Sequence, residues 1–473
     1  LYQLISEEIS DMHCMSDGYL AEELEKRIKF YQEELLMDLQ RLVQIASVRD
    51  VTSVKEDAPF GDGIRCAMDA FLDIAKRCGF TVHDVDGYAV YANIEDRDDY
   101  IGVLAHLDVV EAGDLKLWDS DPFTLVQKGD MLYGRGVNDD KGPLLAALYA
   151  ARLLKEEGIS LKHDIRIIAG GAEETTWECM EHYFAKHKQP IMGFSPDGNF
   201  PIVNGEKGIL QYELIFSAQK DKEENVITHI HCEKPMNYVC DHIELHIQYP
   251  QEDLMEYAKQ ADTVRYEEEL AVLIYRGKTS LSRNPQRGEN ALWKLCEDLC
   301  DYPFAQHGFC ELLQYFKAYL LDDFYGAKSG LYHEDEEMGK TSICPMSFAM
   351  EGDIFHLYID YRYIHGVDIV KAKEHIMDIV KPYQADFAVL KEKRMLYVPQ
   401  ASPLIQALKA AYEQVMHEEA GAFTKGGASY ARTLDCGVAF GATFEGEDPK
   451  PHMPNEQMPL SSLLKACEIY YYA

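Results

Sequence analysis

Basic residues are scarce in this chain: 46 Lys and Arg face 81 Asp and Glu, a formal net charge of −35. A surface of that sign repels nucleic acid and anionic membrane, so neither is expected as a partner. No apolar run approaches the about 20 residues that span a bilayer. The first segment, LYQLISEEISDMHCMSDGYLAEELEKRIKFY, is acidic and broken by polar residues, unlike a signal peptide. CxxC pairs are lacking as well. The 12 cysteines are scattered, and Cys296 and Cys300, one helical turn apart, are the closest two. Such usage fits reduced, mostly structural thiols in a cytoplasmic protein. No repeat or low-complexity tract is visible. What remains is an enzyme-sized chain of 473 residues, long enough for two or more domains. Composition alone does not make it an enzyme.

Three apolar runs read as buried parallel strands. In YIGVLAHLDVV, Ile101 to Ala105 lead into His106 and Asp108. In HDIRIIAGGAEE, Ile165 to Ala169 lead through two glycines to Glu173 and Glu174. The shorter PIMGFSPDGNFP ends at Asp197. Between the first two lies GPLLAALYAARLLKEEG, with Leu144, Leu145, Leu148, Ala151 and Leu154 at helical spacing and Gly158 placed as a C-cap glycine. Strand, helix, strand is the winding of an α/β sheet. Ligands bind at the carboxyl ends of such strands, and each of these ends carries histidine or carboxylate.

Singly, each case is weak. A histidine after a strand is more often a hydrogen-bonded loop residue, and Glu173-Glu174 alone reads as a solvated helix start. Three on one sheet edge, with Asp139 before the intervening helix, point to a metal site. Nitrogen and oxygen donors without thiolate suit Zn²⁺, Mn²⁺ or Co²⁺. One ring nitrogen of His106 can bind metal while Asp108 orients the other. Two metals about 3.5–4 Å apart would use all these carboxylates, with one as a bridge. The stretch YGRGVNDDKGP could be a solvated turn, since Gly, Asn and Asp favour turns. Its alternative role is to turn Asp139 inward as that bridge and Asp140 toward a neighbour or backbone group, with Lys141 offsetting the local charge.

The motifs LAHLDVV, WDSDPF, YGRGVNDDKGP, GGAEE, SPDGNFPIVNGEKG, KPMNYV, YIDYRY and GGASYAR together resemble one family. It is that of the co-catalytic metallopeptidases, which includes carnosinase, aminoacylase, carboxypeptidase G and acetylornithine deacetylase. The chain is most similar to the bacterial PepV dipeptidase branch, and the resemblance covers nearly all of it. The resemblance implies an α/β catalytic domain, residues 1–212 and 399–473, with a mainly parallel twisted sheet flanked by helices. It implies an inserted α+β lid domain, residues 213–398. It also implies that His106 and Asp197 hold one metal, Glu174 and His452 the other, and Asp139 bridges them. Glu173 would be the general base and Asp108 the group orienting His106. The family has a cis peptide after the bridging aspartate. Asn237 and Arg362 match positions that hold a substrate's terminal carboxylate, although Arg362 could instead pair with Asp360 on its strand. Gly426, Gly427 and Ser429 would lie near the substrate. His452, in GEDPKPHMPNEQMP, fits the family pattern only loosely, but supplies the second imidazole.

One departure stands out. The family's lid carries Gly-Lys-x-x-His before Pro and Gly-x-Asn-Ala, and the histidine helps stabilise the oxyanion. Here the stretch is GKTSLSRNPQRGENA, and the histidine position is Leu281. Two readings stay open. One is a working dipeptidase with two divalent metals, zinc first and Mn or Co as alternatives, acting on small peptides as a monomer or homodimer. The other is a catalytically impaired metal- and peptide-binding relative. Deacylation of N-acyl amino acids is a further alternative to dipeptide hydrolysis. A nucleotide-binding role is disfavoured, because GRGVNDDKG lacks the phosphate-loop spacing.

Overall fold

The computed structural model describes residues 2–217, 220, 222–233, 236–352 and 354–473, with side chains described from residue 21 onward. The chain divides into two compact units. The first comprises Leu1–Gly205, Leu396–Phe423 and Ala428–Ala473; the second comprises Glu206–Met395 and Thr424–Gly427. The α/β class holds, with helices packed on a mixed sheet in the first unit.

At the centre of the first unit the strand Tyr100–His106 lies parallel to both Asp164–Gly170 and Met192–Ser195. The strand Gly437–Ala439 extends this parallel core beyond Met192–Ser195. Apart from Ile101 and Ile165, both long strands are buried along their whole length, which is why they read as continuous apolar runs rather than alternating ones. The helix Lys141–Glu157 connects them, ending at Gly158 in the left-handed region (φ 66°). Toward the edges the pairing turns antiparallel, through Ala89–Asn93 and Thr81–Val85 on one side and Ile202–Glu206 on the other.

Two glycines end the strand Asp164–Gly170 because nothing larger fits. A Cβ on Gly170 would stand 2.6 Å from the Tyr430 hydroxyl. One on Gly171 would stand 2.6 Å from Met68 Cε and 2.7 Å from Ile64 Cγ2. Close packing here sets where the chain emerges just before Glu173.

The second unit is α+β. Gly208–Ser217 is flanked by Ile354–Tyr363 and Ala385–Lys393, and Ser342–Glu351 completes an antiparallel sheet. A second antiparallel sheet runs Val226–Cys232, His242–Gln248, Leu270–Arg276, Thr263–Glu267. The helices Ala291–Leu299 and His307–Tyr319 join both sheets in one apolar core around Leu245, Leu273, Leu295, Phe309 and Leu357. Asn290 caps the first of these helices, its side chain accepting from Leu292 N–H at 3.0 Å. Among the described residues no helix is long and apolar enough to cross a membrane.

Gly171→Ala should overpack the strand end and cost about 1–3 kcal/mol. Denaturant unfolding measures it, and an unchanged midpoint would show that Met68 and Ile64 yield freely.

Candidate metal centre

Adjacent parallel strands bring the candidate ligands to one sheet edge. His106 is the last residue of its strand and wholly buried. Glu173 and Glu174 follow the strand Asp164–Gly170, Asp197 follows Met192–Ser195, and Asp139 stands just before the helix Lys141–Glu157. The Asp139–Asp140 peptide is cis. Asp139 divides its carboxylate between two imidazoles: Oδ1 lies 2.9 Å from His106 Nε2, and Oδ2 lies 3.0 Å from His452 Nε2. His452 Nε2 also lies 3.0 Å from Glu174 Oε2, and His106 Nε2 lies 4.0 Å from Asp197 Oδ2. Donor atoms of His106, Asp139 and Glu174 all fall within 4.8 Å of one another, as do those of His106, Glu173 and Asp197.

A second layer of hydrogen bonds fixes these donors. His106 Nδ1 meets the main-chain oxygen of Asp108 at 2.9 Å, closer than the Asp108 carboxylate at 3.5 Å. That carboxylate instead accepts the N–H of Glu173 (3.1 Å) and of Glu174 (3.0 Å), so Asp108 serves all three site residues. Asp140 is buried and accepts the N–H of His106 at 3.2 Å. Lys141 does not offset the aspartates directly. Its amine donates to the carbonyls of Leu42 and Ile45, at the end of the helix Tyr2–Val43, each at 2.9 Å.

The residue that sequence reasoning missed is Glu456. Its Oε1 accepts the main-chain N–H of Gly136 (3.0 Å), Asn138 (3.1 Å) and Asp139 (3.1 Å), and Arg135 donates to its Oε2 at 2.7 Å. Glu456 and Arg135 are both buried, at 0% and 1% exposure, so this pair lies inside the protein. The only signal was an acidic residue four positions after His452. Tyr430, from the GGASYAR stretch, adds an edge-to-face contact on the His106 ring at 6.2 Å between centroids.

The field at this cluster is strongly negative. Hydrogen bonds that the Asp139 and Glu174 carboxylates accept push the His452 imidazole up to about 11. Burial opposes charge on His106, yet its contacts with Asp108 and Asp139 hold it well above the ordinary histidine range. Burial, and then the Asp197 carboxylate, raise Glu173; burial and Asp139 raise Glu174. Such a field favours a divalent cation in place of protons. The separations of 2.9–4.0 Å bracket the about 3.3 Å between neighbouring donors on a cation with bonds of about 2.0–2.1 Å. Glu173 Oε1 is buried with no hydrogen-bond partner, a carboxylate oxygen still to be satisfied. The donor set therefore fits metal.

Residues 102–473 match the model of peptidase family M20/M25/M40. The chain belongs to this family. As an M20 peptidase it is a metallopeptidase, in agreement with the resemblance read from its motifs. It is 34% identical over 464 residues to a Staphylococcus haemolyticus protein provisionally named a dipeptidase, covering 95% of this chain and 98% of the relative. A Staphylococcus aureus (strain MW2) protein named in the same way is 32% identical over 461 residues, covering 95% and 98%. Among solved structures, human carnosine dipeptidase 1 aligns with a TM-score of 0.55 at 15% identity, covering 96% of this chain and 98% of that one. The di-peptidase Dug1p of Saccharomyces cerevisiae gives 0.55, 15%, 96% and 98%. At such identities these two structures speak for the fold.

The other expected M20 site residues fall in both units. Ser429 belongs to the first, buried ahead of the short helix Tyr430–Thr433. Asn237, Arg362, Gly426 and Gly427 belong to the second. Asn237 has φ 65°; its side-chain oxygen accepts from Gln211 at 2.8 Å and its carbonyl accepts the N–H of Ser282 at 2.9 Å. Arg362 donates through Nε to Asp360 at 2.9 Å. In the KPMNYV motif, Lys234 and Pro235 lie outside the described residues. Leu281 is 39% exposed and bridges to Tyr238 through its backbone.

Glu456→Gln keeps the size of the side chain but leaves Arg135 without its buried anion and weakens the hold on Asp139. Outer hydrogen-bond partners of metal ligands are typically worth 10–100-fold in metal affinity. A loss of about that size is expected by metal titration of the folded variant, and wild-type affinity would show that Glu456 does not position Asp139.

Proposed function

We propose that this M20 peptidase hydrolyses dipeptides at a dinuclear, zinc-type centre, with Glu173 as general base. The observation that carries the reading is the juxtaposition of two His–carboxylate groups sharing Asp139 with the unpartnered oxygen of Glu173. The names of the staphylococcal relatives add the substrate class. In this reading His106 and Asp197 would hold one ion, Glu174 and His452 the other, and Asp139 would serve both. Bound divalent cations, zinc or alternatively Mn or Co, supply the Lewis acidity that activates a water and polarises the scissile carbonyl.

The chain's own part follows from its carboxylates. Burial and Asp197 raise the proton affinity of Glu173 above the ordinary carboxylate range, which suits a base; it takes a proton from the attacking water and returns it to the leaving amine. Asp108 holds the Glu173 and Glu174 backbone and the His106 ring in place. By the family resemblance, Arg362 and Asn237 would take the peptide's terminal carboxylate, and Gly426, Gly427 and Ser429 would lie near the substrate. Free cysteines fit a cytoplasmic setting.

Leu281 favours a second reading, a peptide-binding relative with impaired catalysis, because leucine donates no hydrogen bond. Loss of one oxyanion donor costs about 10²–10³ in rate. Retention of a buried, unpartnered Glu173 favours the enzyme, since binding alone requires no base.

Initial rates on a mixed dipeptide panel, after chelation and return of Zn²⁺, Mn²⁺ or Co²⁺, decide between them. Turnover is expected only with metal, and Glu173→Gln should lower it by about 10²–10⁴ while metal stays bound. A folded wild type that never exceeds this variant would leave the binding relative or an N-acyl amino acid deacylase, which an N-acetyl amino acid panel separates.

A further inference from the structure

The second unit gathers cations that the metal centre does not use. Arg362, with its side chain 9% exposed, donates to Asp360 Oδ2, and the Ser282 hydroxyl donates to the same oxygen at 2.5 Å. Ser282 thereby ties the neighbouring Arg283 to the Arg362 strand. The Arg283 stem lies along the Gly426–Gly427 backbone: a Cβ on Gly426 would stand 3.1 Å from its Cδ, and one on Gly427 would stand 3.8 Å from its Nη1. Among the described residues the Arg283 guanidinium donates to no carboxylate or carbonyl. Among the described residues Lys207, which precedes the strand Gly208–Ser217, donates its amine only to the Lys340 carbonyl.

Arg362 and Arg283 therefore share one carboxylate, Asp360, and Lys207 adds a third positive charge beside Arg362, in a chain whose net charge is −35. Burial and the charge of Arg362 lower both Arg283 and Lys207, the mark of cations short of anions. Half-burying a guanidinium beside another without a counter-ion is unfavourable unless a ligand provides one.

We propose that Arg283, backed by the charge of Lys207, is a specificity-determining subsite for a second substrate carboxylate, selecting dipeptides whose C-terminal residue is aspartate or glutamate. The inference rests on the dipeptidase reading, in which Arg362 takes the terminal carboxylate. An acidic C-terminal residue carries both of its carboxylates on one residue, so its side chain calls for a second cation beside Arg362, and Arg283 is linked to Arg362 through Ser282 and Asp360. The planar fork of arginine pairs with a carboxylate through two parallel hydrogen bonds. An amide of the same shape offers it one neutral oxygen and a repelling NH₂ group.

The test compares kcat/KM for Ala-Asp with Ala-Asn, and for Ala-Glu with Ala-Gln, on the metal-loaded enzyme. Binding of the same peptides to metal-loaded Glu173→Gln protein is measured by calorimetry. The acid-to-amide ratio in wild type is expected at about 10–100, the scale of a charge-assisted hydrogen bond. Arg283→Gln should bring it near 1, and Arg283→Lys should keep part of it. A variant that merely disturbs the loop lowers both peptides together and leaves the ratio unchanged, which overturns the proposal, as does a wild-type ratio near 1. If no dipeptide is turned over, the dipeptidase reading fails, and the calorimetric ratio, with and without Arg283→Gln, still decides the subsite.

Discussion

Everything at the metal centre depends on where one carboxylate points. Asp139 has a single side chain for two imidazoles, and its oxygens reach both only because the loop Arg135–Asp139 is held still. Glu456 holds it, with three main-chain N–H groups on one oxygen and Arg135 on the other. A buried carboxylate so surrounded has little freedom to move, since any displacement leaves several polar groups unsatisfied at once. Arg135 and Glu456 are each other's main compensation for burial, and removing either leaves an uncompensated charge. The position of Asp139 is thus inherited from a pair that touches no candidate ligand atom.

The same logic explains why the acidic groups sit at a strand edge. Parallel strands buried on both faces give rigid exits, and consecutive exits deliver His106, Glu173, Glu174 and Asp197 without long loops. Glycine-tight packing at Gly170 and Gly171 sets where the chain leaves the sheet. The cost is concentrated negative charge in a partly buried space. The shifts of Glu173 and Glu174 toward the neutral form record it, as do the raised histidines. Divalent cations relieve that cost, so affinity for metal and electrostatic strain at this edge have one cause.

Much of this was legible in the sequence. Fully buried parallel strands announce themselves as unbroken apolar runs, and polar residues at their ends are conspicuous against them. The antiparallel edge was less so, although Asp86-Gly87, with φ 52° and 71°, is a hairpin signal of the ordinary kind between Thr81–Val85 and Ala89–Asn93. Glu456 was not legible, because its partners lie 317 to 321 residues away and nothing local marks a carboxylate as a cage for distant N–H groups. The Lys141 amine misled for the same reason: its neighbours in sequence are aspartates, but its acceptors are the carbonyls of Leu42 and Ile45. Local pattern reports period and residue type; long-range hydrogen bonds depend on packing that only the folded chain defines.

Local charge of opposite sense, at the carboxylate cluster and around Arg283 and Arg362, has a further consequence. A chain of net charge −35 concentrates cations around itself and disfavours anionic peptides, but salt screens that long-range field beyond about 8–10 Å. Recognition of a carboxylate must then come from cations at contact distance, with acidic neighbours kept away. Arg283 and Arg362, with Asp360 between them and the charge of Lys207 close to Arg362, are cations of that kind. Asp360 spends one oxygen on Arg362 and Ser282 together, which orients the arginine while leaving the group positive as a whole. The acidic composition that suits one unit to metal therefore does not prevent the other from recognising anions, because the two interactions operate at short range on separate sets of residues.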